Sequence, residues 1–130
     1  MIVDTSALVA ILKREPGWET LAEALDSAHS PRFSASSYVE LFIVMSRWKD
    51  PSPSLRVDEL IEQFGITIEP FTVAQARIAR QAYRDYGKGS GHRAALNFGD
   101  CFSYALARDK REPILFKGDD FVHTDLRSAI

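Results

Sequence analysis

Acidic side chains that could bind a metal ion or move a proton follow two short apolar runs of the sequence. Asp4 follows Ile2-Val3, and the pair Asp119-Asp120 follows Ile114-Leu115-Phe116. Each run predicts a short strand. Ligands of open parallel sheets bind beyond the carboxyl ends of the strands, so these acids would approach one another if the two strands are neighbours. Taken alone, Asp4 is as typical of a helix N-cap as of a functional site. The pair Asp119-Asp120 is likewise typical of a turn after Gly118.

Two further carboxylates lie within predicted helices. Glu40 is the only charged residue of the apolar run Tyr38–Met45, which predicts a helix that is apolar nearly all round and packs on the core, with apolar surface that could also serve a partner. A buried carboxylate is costly unless it is paired or binds a metal ion, and the alternative is that Glu40 reaches solvent or an arginine. Asp100 follows the predicted helix cap Asn97 by three residues, which is also typical of a first-turn carboxylate favoured by the helix dipole. Its apolar neighbours indicate that this helix start is packed against the core.

Carboxylates converging without histidine or thiolate ligands indicate a site for a hard divalent cation. Mg²⁺ and Mn²⁺ prefer oxygen ligands, whereas zinc prefers the cysteine and histidine ligands that this set lacks. Carboxylate-held Mg²⁺ most often serves phosphoryl or phosphodiester transfer. The four acidic positions therefore predict metal-dependent chemistry on a phosphate ester.

Basic residues that could contact a polyanion lie near the same positions in the sequence. Lys88 and Arg93 belong to the glycine-rich stretch 87–93, and Lys117 precedes Gly118. Backbone amides and cations of such a loop can hold phosphate, although a loop of this composition is more often only a flexible connector. The stretch lacks the P-loop pattern, so hydrolysis of nucleoside triphosphates is not indicated.

The elements that must position these residues alternate between short strands and helices. Strands are predicted at Ile2–Val3, Arg32–Ser34, Ile66–Ile68 and Ile114–Phe116, with helices between them and a loop over Asp50–Pro53. Thr72 and Gln75 have the spacing of a capping box. Strands joined through helices predict an α/β fold, a three-layer α/β/α domain whose central sheet is mainly parallel.

Composition bounds the kind of protein further. The chain has 130 residues, 16 basic and 18 acidic, with one cysteine. This length predicts one domain over residues 1–130, and the near-neutral charge gives no global sign of nucleic-acid binding. The single cysteine excludes an internal disulfide, and the longest apolar run, Leu41–Met45, is far below the about 20 residues that span a bilayer. No signal peptide is visible, so we expect a cytoplasmic protein without a membrane role.

Several of these residues together resemble a known family. The ordered set Ile2–Leu8, Glu40 in a helix, Asn97–Cys101 and Phe116–Phe121 is similar to the PIN-domain ribonucleases, and most similar to the VapC-type toxins of type II toxin–antitoxin systems. The resemblance spans nearly the whole chain. It implies a three-layer fold and Mg²⁺-dependent cleavage of RNA, with Mn²⁺ as an alternative ion.

The resemblance also implies roles for individual residues. The catalytic acids would be Asp4, Glu40, Asp100 and Asp119, with Asp120 a competitor for the fourth position because the family spaces its last two acids differently. Asp4 and Asp100 would hold the metal ion, and Ser6 would help to position an acid or a water molecule. Lys88, Arg93 and Lys117 are the predicted RNA contacts. The implied partners are a second copy of the chain and a cognate VapB-type antitoxin that covers the acidic groove, with no membrane partner.

Two other functions fit the same residues less well. A Mg²⁺-dependent phosphatase or phosphotransfer domain would also carry an aspartate after the first strand. The haloacid-dehalogenase type requires a second aspartate two residues later, where this sequence has Ser6. A non-catalytic PIN-like module that binds RNA or protein would have no need to retain all four acids.

Overall fold

A computed structural model describes residues 1–48 and 53–130 of the chain. It contains four strands and six helices in that part, in the order β1 (Ile2–Val3), α1 (Thr5–Lys13), α2 (Trp18–Asp26), β2 (Arg32–Ser34), α3 (Ala35–Ser46), α4 (Pro53–Gln63), β3 (Thr67–Glu69), α5 (Val73–Tyr86), α6 (Phe98–Lys110) and β4 (Ile114–Leu115). The predicted third and fourth strands differ from β3 and β4 only at their ends. The loop predicted over Asp50–Pro53 lies outside the described residues, except that Pro53 begins α4.

The four strands form one sheet in the order β3-β2-β1-β4, and every neighbouring pair is parallel. Ile2 is in register with Ile114, and Val3 with Leu115. The backbone N–H of Asp4 then donates to the carbonyl of Leu115 at 2.9 Å. The first and last strands are therefore neighbours, and the segments that follow them leave the sheet at the same edge.

Helices cover both faces of this sheet because successive strand residues point to opposite sides. Val3 and Leu115 pack into one apolar cluster with residues of α1, α2, α3 and α4. Ile2 and Ile114 pack into a second cluster with residues of α5 and α6. The predicted three-layer α/β/α arrangement is confirmed.

Helix α3 is buried on one side only, although its sequence is apolar nearly all round. Leu41 and Met45 are fully buried, whereas Val39, Phe42 and Ile43 are 56%, 42% and 47% exposed. The helix packs on α1, α4, α6 and β2, which leaves its outer face uncovered. A single layer of helices on a sheet buries one stripe of each helix, whatever the composition of the other side.

The start of α5 contains half of the predicted capping box. The Thr72 hydroxyl accepts a hydrogen bond from the Gln75 backbone N–H at 3.1 Å, as expected for an N-cap. The Gln75 side chain does not return to the cap. Its amide donates instead to Asp109 on α6 at 3.0 Å, so the residue ties the two helices of this layer together.

None of the helices in the described ranges is both long and apolar enough to span a membrane.

We predict that the two faces of α3 differ sharply in their contribution to stability. Leu41→Ala removes a fully buried side chain and should lower the free energy of unfolding by about 2–5 kcal/mol. Ile43→Ala, a matched change on the exposed face, should change it by less than about 1 kcal/mol. Urea denaturation of both variants measures the difference, and equal losses would contradict this orientation of the helix.

Candidate active site

Asp4 occupies the carboxyl end of β1 and also begins α1. It is 4% exposed and is the N-cap of the helix. Its Oδ2 accepts hydrogen bonds from the Ser6 backbone N–H at 2.9 Å and from the Ser6 hydroxyl at 2.6 Å. Asp4 therefore does cap α1, which was the alternative to a functional role. Capping does not exclude a ligand role, because Oδ1 takes no part in these two bonds.

The Ser6 hydroxyl also links the start of α1 to the segment that follows β4, the strand beside β1. While donating to Asp4, it accepts a hydrogen bond from the backbone N–H of Lys117 at 3.0 Å. The Lys117 ammonium group donates to the carbonyl oxygen of Pro16 at 2.6 Å. These bonds fasten the segment that follows β4 to the beginning of α1, so the turn at residues 118–120 is held beside Asp4.

Asp100 lies in the first turn of α6 within a complete capping box. Its Oδ2 accepts from the backbone N–H of Asn97 at 2.8 Å, and the Asn97 side chain accepts from the backbone N–H of Asp100 at 2.9 Å. The residue is only 7% exposed. Burial raises the pKa of the carboxyl group to about 7; the Asn97 N–H opposes this shift, and the charges of Asp4, Asp120 and Glu40 add to it.

Glu40 is half-buried on α3 and extends toward the beginning of α6. Burial raises the pKa of its carboxyl group, the nearby Thr5 hydroxyl lowers it, and the charge of Asp4 raises it further. The carboxyl group lies against Gly99, where an added Cβ would be 1.7 Å from Oε2. Within residues 1–48 and 53–130, Glu40 forms no ion pair with an arginine. The Glu40 carboxylate therefore points from α3 toward Gly99 and the neighbouring Asp100.

Of the two aspartates in the turn after β4, Asp120 is the one whose charge acts on Asp100. Both side chains are exposed, and Gly118 begins the turn with φ +97°. Burial, the charge of Asp4 and the charge of Asp119 together raise the pKa of Asp120, and Asp120 in turn acts on Asp100. Asp119 acts on Asp120 but is not among the groups that shift the pKa of Asp100. The structure thus brings the charge of Asp120 within reach of Asp4 and Asp100, whereas position in the sequence favoured Asp119.

The donor set is suited to a hard divalent cation. It consists of carboxylates that are partly removed from water and repel one another, so a bound cation would supply the missing counter-charge. Within the part of the chain that the structure describes, no three Asp, Glu, His or Cys side chains converge closely enough to enclose an ion on their own. Mg²⁺ is commonly held by one or two carboxylates and several waters, and Asp4 with Asp100 fits that arrangement.

The three predicted RNA contacts lie outside this acidic group. Lys88 and Arg93 are exposed on the loop between α5 and α6, which is closed by hydrogen bonds from Lys88 N to Leu96 O at 2.8 Å and from Leu96 N to Tyr86 O at 2.9 Å. Lys117 is exposed as well, but its ammonium group is engaged by Pro16. The loop is therefore a hydrogen-bonded unit that ends where α6 begins.

Two residues that contact Glu40 were not singled out from the sequence. Thr5 is 8% exposed and its hydroxyl lies near Glu40, and Gly99 is the residue on which the Glu40 carboxyl group rests. The available signal for Gly99 was a glycine inside the first turn of a helix, where most residues would be better helix formers. Thr5 carried no such signal, because a threonine near a helix start is ordinary.

Comparison with known proteins places these features in a family. The family profile described as "PIN domain" matches residues 1–126. The VapC ribonuclease Mb2780c of Mycobacterium bovis is 55% identical over 129 residues, which cover 99% of this chain and 98% of that protein.

Two solved structures have the same fold. The VapC20 toxin of Mycobacterium tuberculosis, described as cleaving the sarcin–ricin loop, aligns with a TM-score of 0.74 at 17% identity over 96% of this chain and 95% of its own. A toxin–antitoxin complex from Klebsiella pneumoniae aligns with a TM-score of 0.70 at 15% identity, covering 95% of this chain and 92% of its own.

We predict that metal-free protein becomes less stable as the pH rises from about 4 to 7. The folded-state pKa of Asp100 is about 7, above its ordinary value of 3.8. The folded state therefore holds more protons than the unfolded state in this interval, and the free energy of unfolding falls with rising pH because unfolding releases that proton. Asp100→Asn, whose side-chain oxygen can still accept from Asn97, should remove most of this dependence.

Thermal unfolding in EDTA at pH 5, 6, 7 and 8 measures the effect. Asp26→Asn, on the exposed end of α2, is a matched control that should retain the wild-type pH profile. The same profile in the wild type and Asp100→Asn would contradict the assignment.

Proposed function

The chain belongs to the PIN-domain family and is one of its VapC ribonucleases, and on that premise we propose that Asp4, Glu40, Asp100 and Asp120 form the site that cleaves RNA. The observation that carries this proposal is the convergence of their charges at the carboxyl edge of the sheet. Asp120 takes the fourth position in place of Asp119, because its charge acts on Asp100. We further propose that residues 1–130 constitute one PIN domain.

VapC ribonucleases of the PIN family generally depend on a divalent metal ion. We propose Mg²⁺ as that ion, with Mn²⁺ able to replace it, held by Asp4 and Asp100. When bound, the ion would neutralise charge on the phosphate oxygens and favour attack by water. Glu40 and Asp120 would complete or orient the surroundings of these two acids.

The residues of the chain itself keep the two proposed ligands in place. Ser6 fixes Oδ2 of Asp4, and Asn97 fixes Oδ2 of Asp100, so each carboxylate has one oxygen engaged by its own helix start. Rigid positioning of reacting groups can supply a large share of catalysis. Without a cation, the Asp100 carboxyl group with its pKa of about 7 can hold a proton near neutral pH. This proton would relieve the repulsion in the empty site.

RNA is a polyanion, so its binding calls for cationic side chains outside the acidic group. We propose that Lys88 and Arg93 contact the RNA backbone from the loop before α6, and that Lys117 contributes less because its ammonium group already binds Pro16. The net charge of the chain is −2, so local cations must offset the acidic site when a polyanion approaches.

Protein partners are a further part of the proposal. The Klebsiella pneumoniae relative in fold was solved as a toxin–antitoxin complex. We propose that a VapB-type antitoxin neutralises this chain in the cytoplasm and that two copies form a homodimer. The uncovered apolar face of α3, with Val39, Phe42 and Ile43, offers a surface for such a protein partner.

We predict that Asp4→Asn and Asp100→Asn each abolish RNA cleavage and the growth arrest caused by expression, while the fold is kept. Both changes remove a proposed ligand charge and retain a hydrogen-bond acceptor for the helix cap. The assay is incubation of purified protein, stripped of metal and partner, with total RNA in Mg²⁺, Mn²⁺ or EDTA. Asp26→Asn is the matched control and should cleave as the wild type does.

Undiminished cleavage and toxicity in both variants would contradict the proposed site. A folded wild type that binds metal but cleaves no RNA would instead favour a non-catalytic binding module.

We predict that the same isosteric substitution at the adjacent residues Asp120 and Asp119 has different effects on the rate of RNA cleavage. Asp120→Asn should lower the cleavage rate by about tenfold or more, because its charge acts on Asp100. Asp119→Asn should lower the rate by less than about threefold. Single-turnover rates at saturating Mg²⁺ compare the two, and a larger loss at Asp119 would return the fourth position to that residue.

A further inference from the structure

Gly99 lies so close to Glu40 that a side chain at residue 99 would clash with the Glu40 carboxyl group. A Cβ built on Gly99 would lie 1.7 Å from Oε2, 2.7 Å from Cδ and 3.0 Å from Oε1 of Glu40. These are the three nearest heavy atoms, and all of them belong to one carboxyl group. The carboxyl group thus lies in direct contact with the backbone at the first turn of α6, next to Asp100.

Neither helix formation nor backbone conformation accounts for a glycine at this position. Gly99 is buried in the first turn of α6, where alanine would be a better helix former. Its φ is not in the positive range that favours glycine, which the structure records instead at Gly17, Gly65, Gly89, Gly91 and Gly118. What an alanine would disturb is the space taken by Glu40.

The same contact decides where the Glu40 charge acts. From this position the carboxylate raises the pKa of Asp100, and Asp4 raises the pKa of Glu40. The Glu40 side chain is flexible and half-buried, so a methyl group on Gly99 would displace its end rather than distort the helix. The carboxylate would then move away from the other acids.

We propose that Gly99 is a positioning residue, which allows the Glu40 carboxylate to lie against the start of α6 and so sets its distance from the Asp4 and Asp100 pair. This proposal rests on the proposed ribonuclease function, in which Glu40 completes the surroundings of those two acids. It predicts that the effect of a methyl group at residue 99 depends on the side chain at residue 40.

The test is a set of double-mutant cycles on the full chain. Gly99→Ala is compared in three backgrounds: wild type, Glu40→Asp, whose carboxylate is one methylene shorter, and Glu40→Ala, which has none. Three quantities are measured for each protein: the rate of RNA cleavage, the Kd for Mn²⁺ by calorimetry on metal-free protein, and the Tm.

In the wild-type background, Gly99→Ala should lower the cleavage rate about 10- to 100-fold and weaken Mn²⁺ binding about tenfold, with the Tm unchanged or higher. In the Glu40→Asp background the same change should lower the rate by less than about threefold, because the shorter carboxylate clears the methyl group. In the Glu40→Ala background it should change the Kd for Mn²⁺ by less than about twofold.

Wild-type rate and Kd in Gly99→Ala would overturn the proposal, as would an equal loss of Mn²⁺ affinity whether or not Glu40 is present. If Gly99→Ala fails to fold, recovery of folding in Gly99→Ala/Glu40→Ala supports the contact, and continued failure overturns it. The Mn²⁺ cycle requires no RNA. A wild type that cleaves no RNA but shows this coupling would refute the ribonuclease function and leave the role of Gly99 intact.

Discussion

Removing carboxylates from water and bringing them together costs free energy, and the carboxyl edge of this sheet does both. Asp4 and Asp100 are nearly inaccessible and Glu40 is half-buried; the charge of Asp4 raises the pKa of Glu40, and the charges of Asp4 and Glu40 raise the pKa of Asp100. A fold retains such an arrangement only if the repulsion is compensated. In metal-free protein a proton on the acids would compensate it, and in the proposed active form a bound cation would do so. The raised pKa of Asp100 is the clearest expression of this constraint in the structure.

The helix starts hold the acids against that repulsion. Asp4 caps α1 and Asp100 completes the capping box of α6, so one oxygen of each carboxylate accepts hydrogen bonds from its own helix start. The same bonds that begin the helices fix the direction of the site residues. Ser6 extends this arrangement across the sheet by accepting from the Lys117 N–H, which holds the last turn beside the first helix. Stability of the helix ends and geometry of the site therefore depend on the same few hydrogen bonds.

The sequence allowed much of this arrangement to be predicted, since parallel strands flanked by helices direct their carboxyl ends to one edge. The Asn97 cap and the three-layer fold are confirmed, and β1 and β4 are neighbours, which was the condition for the acids after them to approach one another. The orientation of α3 was not predictable from composition, because a uniformly apolar helix does not indicate which face its neighbours cover. The choice between Asp119 and Asp120 depends on the path of one turn after Gly118. The contact between Gly99 and Glu40 joins distant segments, and neither residue alone indicates it.

The number of protons released when Mn²⁺ binds shows whether a cation replaces a proton within the acidic group. Calorimetry on metal-free protein at pH 6.5, in two buffers of different ionisation enthalpy, gives the number of protons released per ion. We expect release of more than about half a proton at this pH and almost none at pH 8.5, with the release lost in Asp100→Asn. Binding without proton release at pH 6.5, or no binding of Mn²⁺ to folded protein, would contradict this expectation.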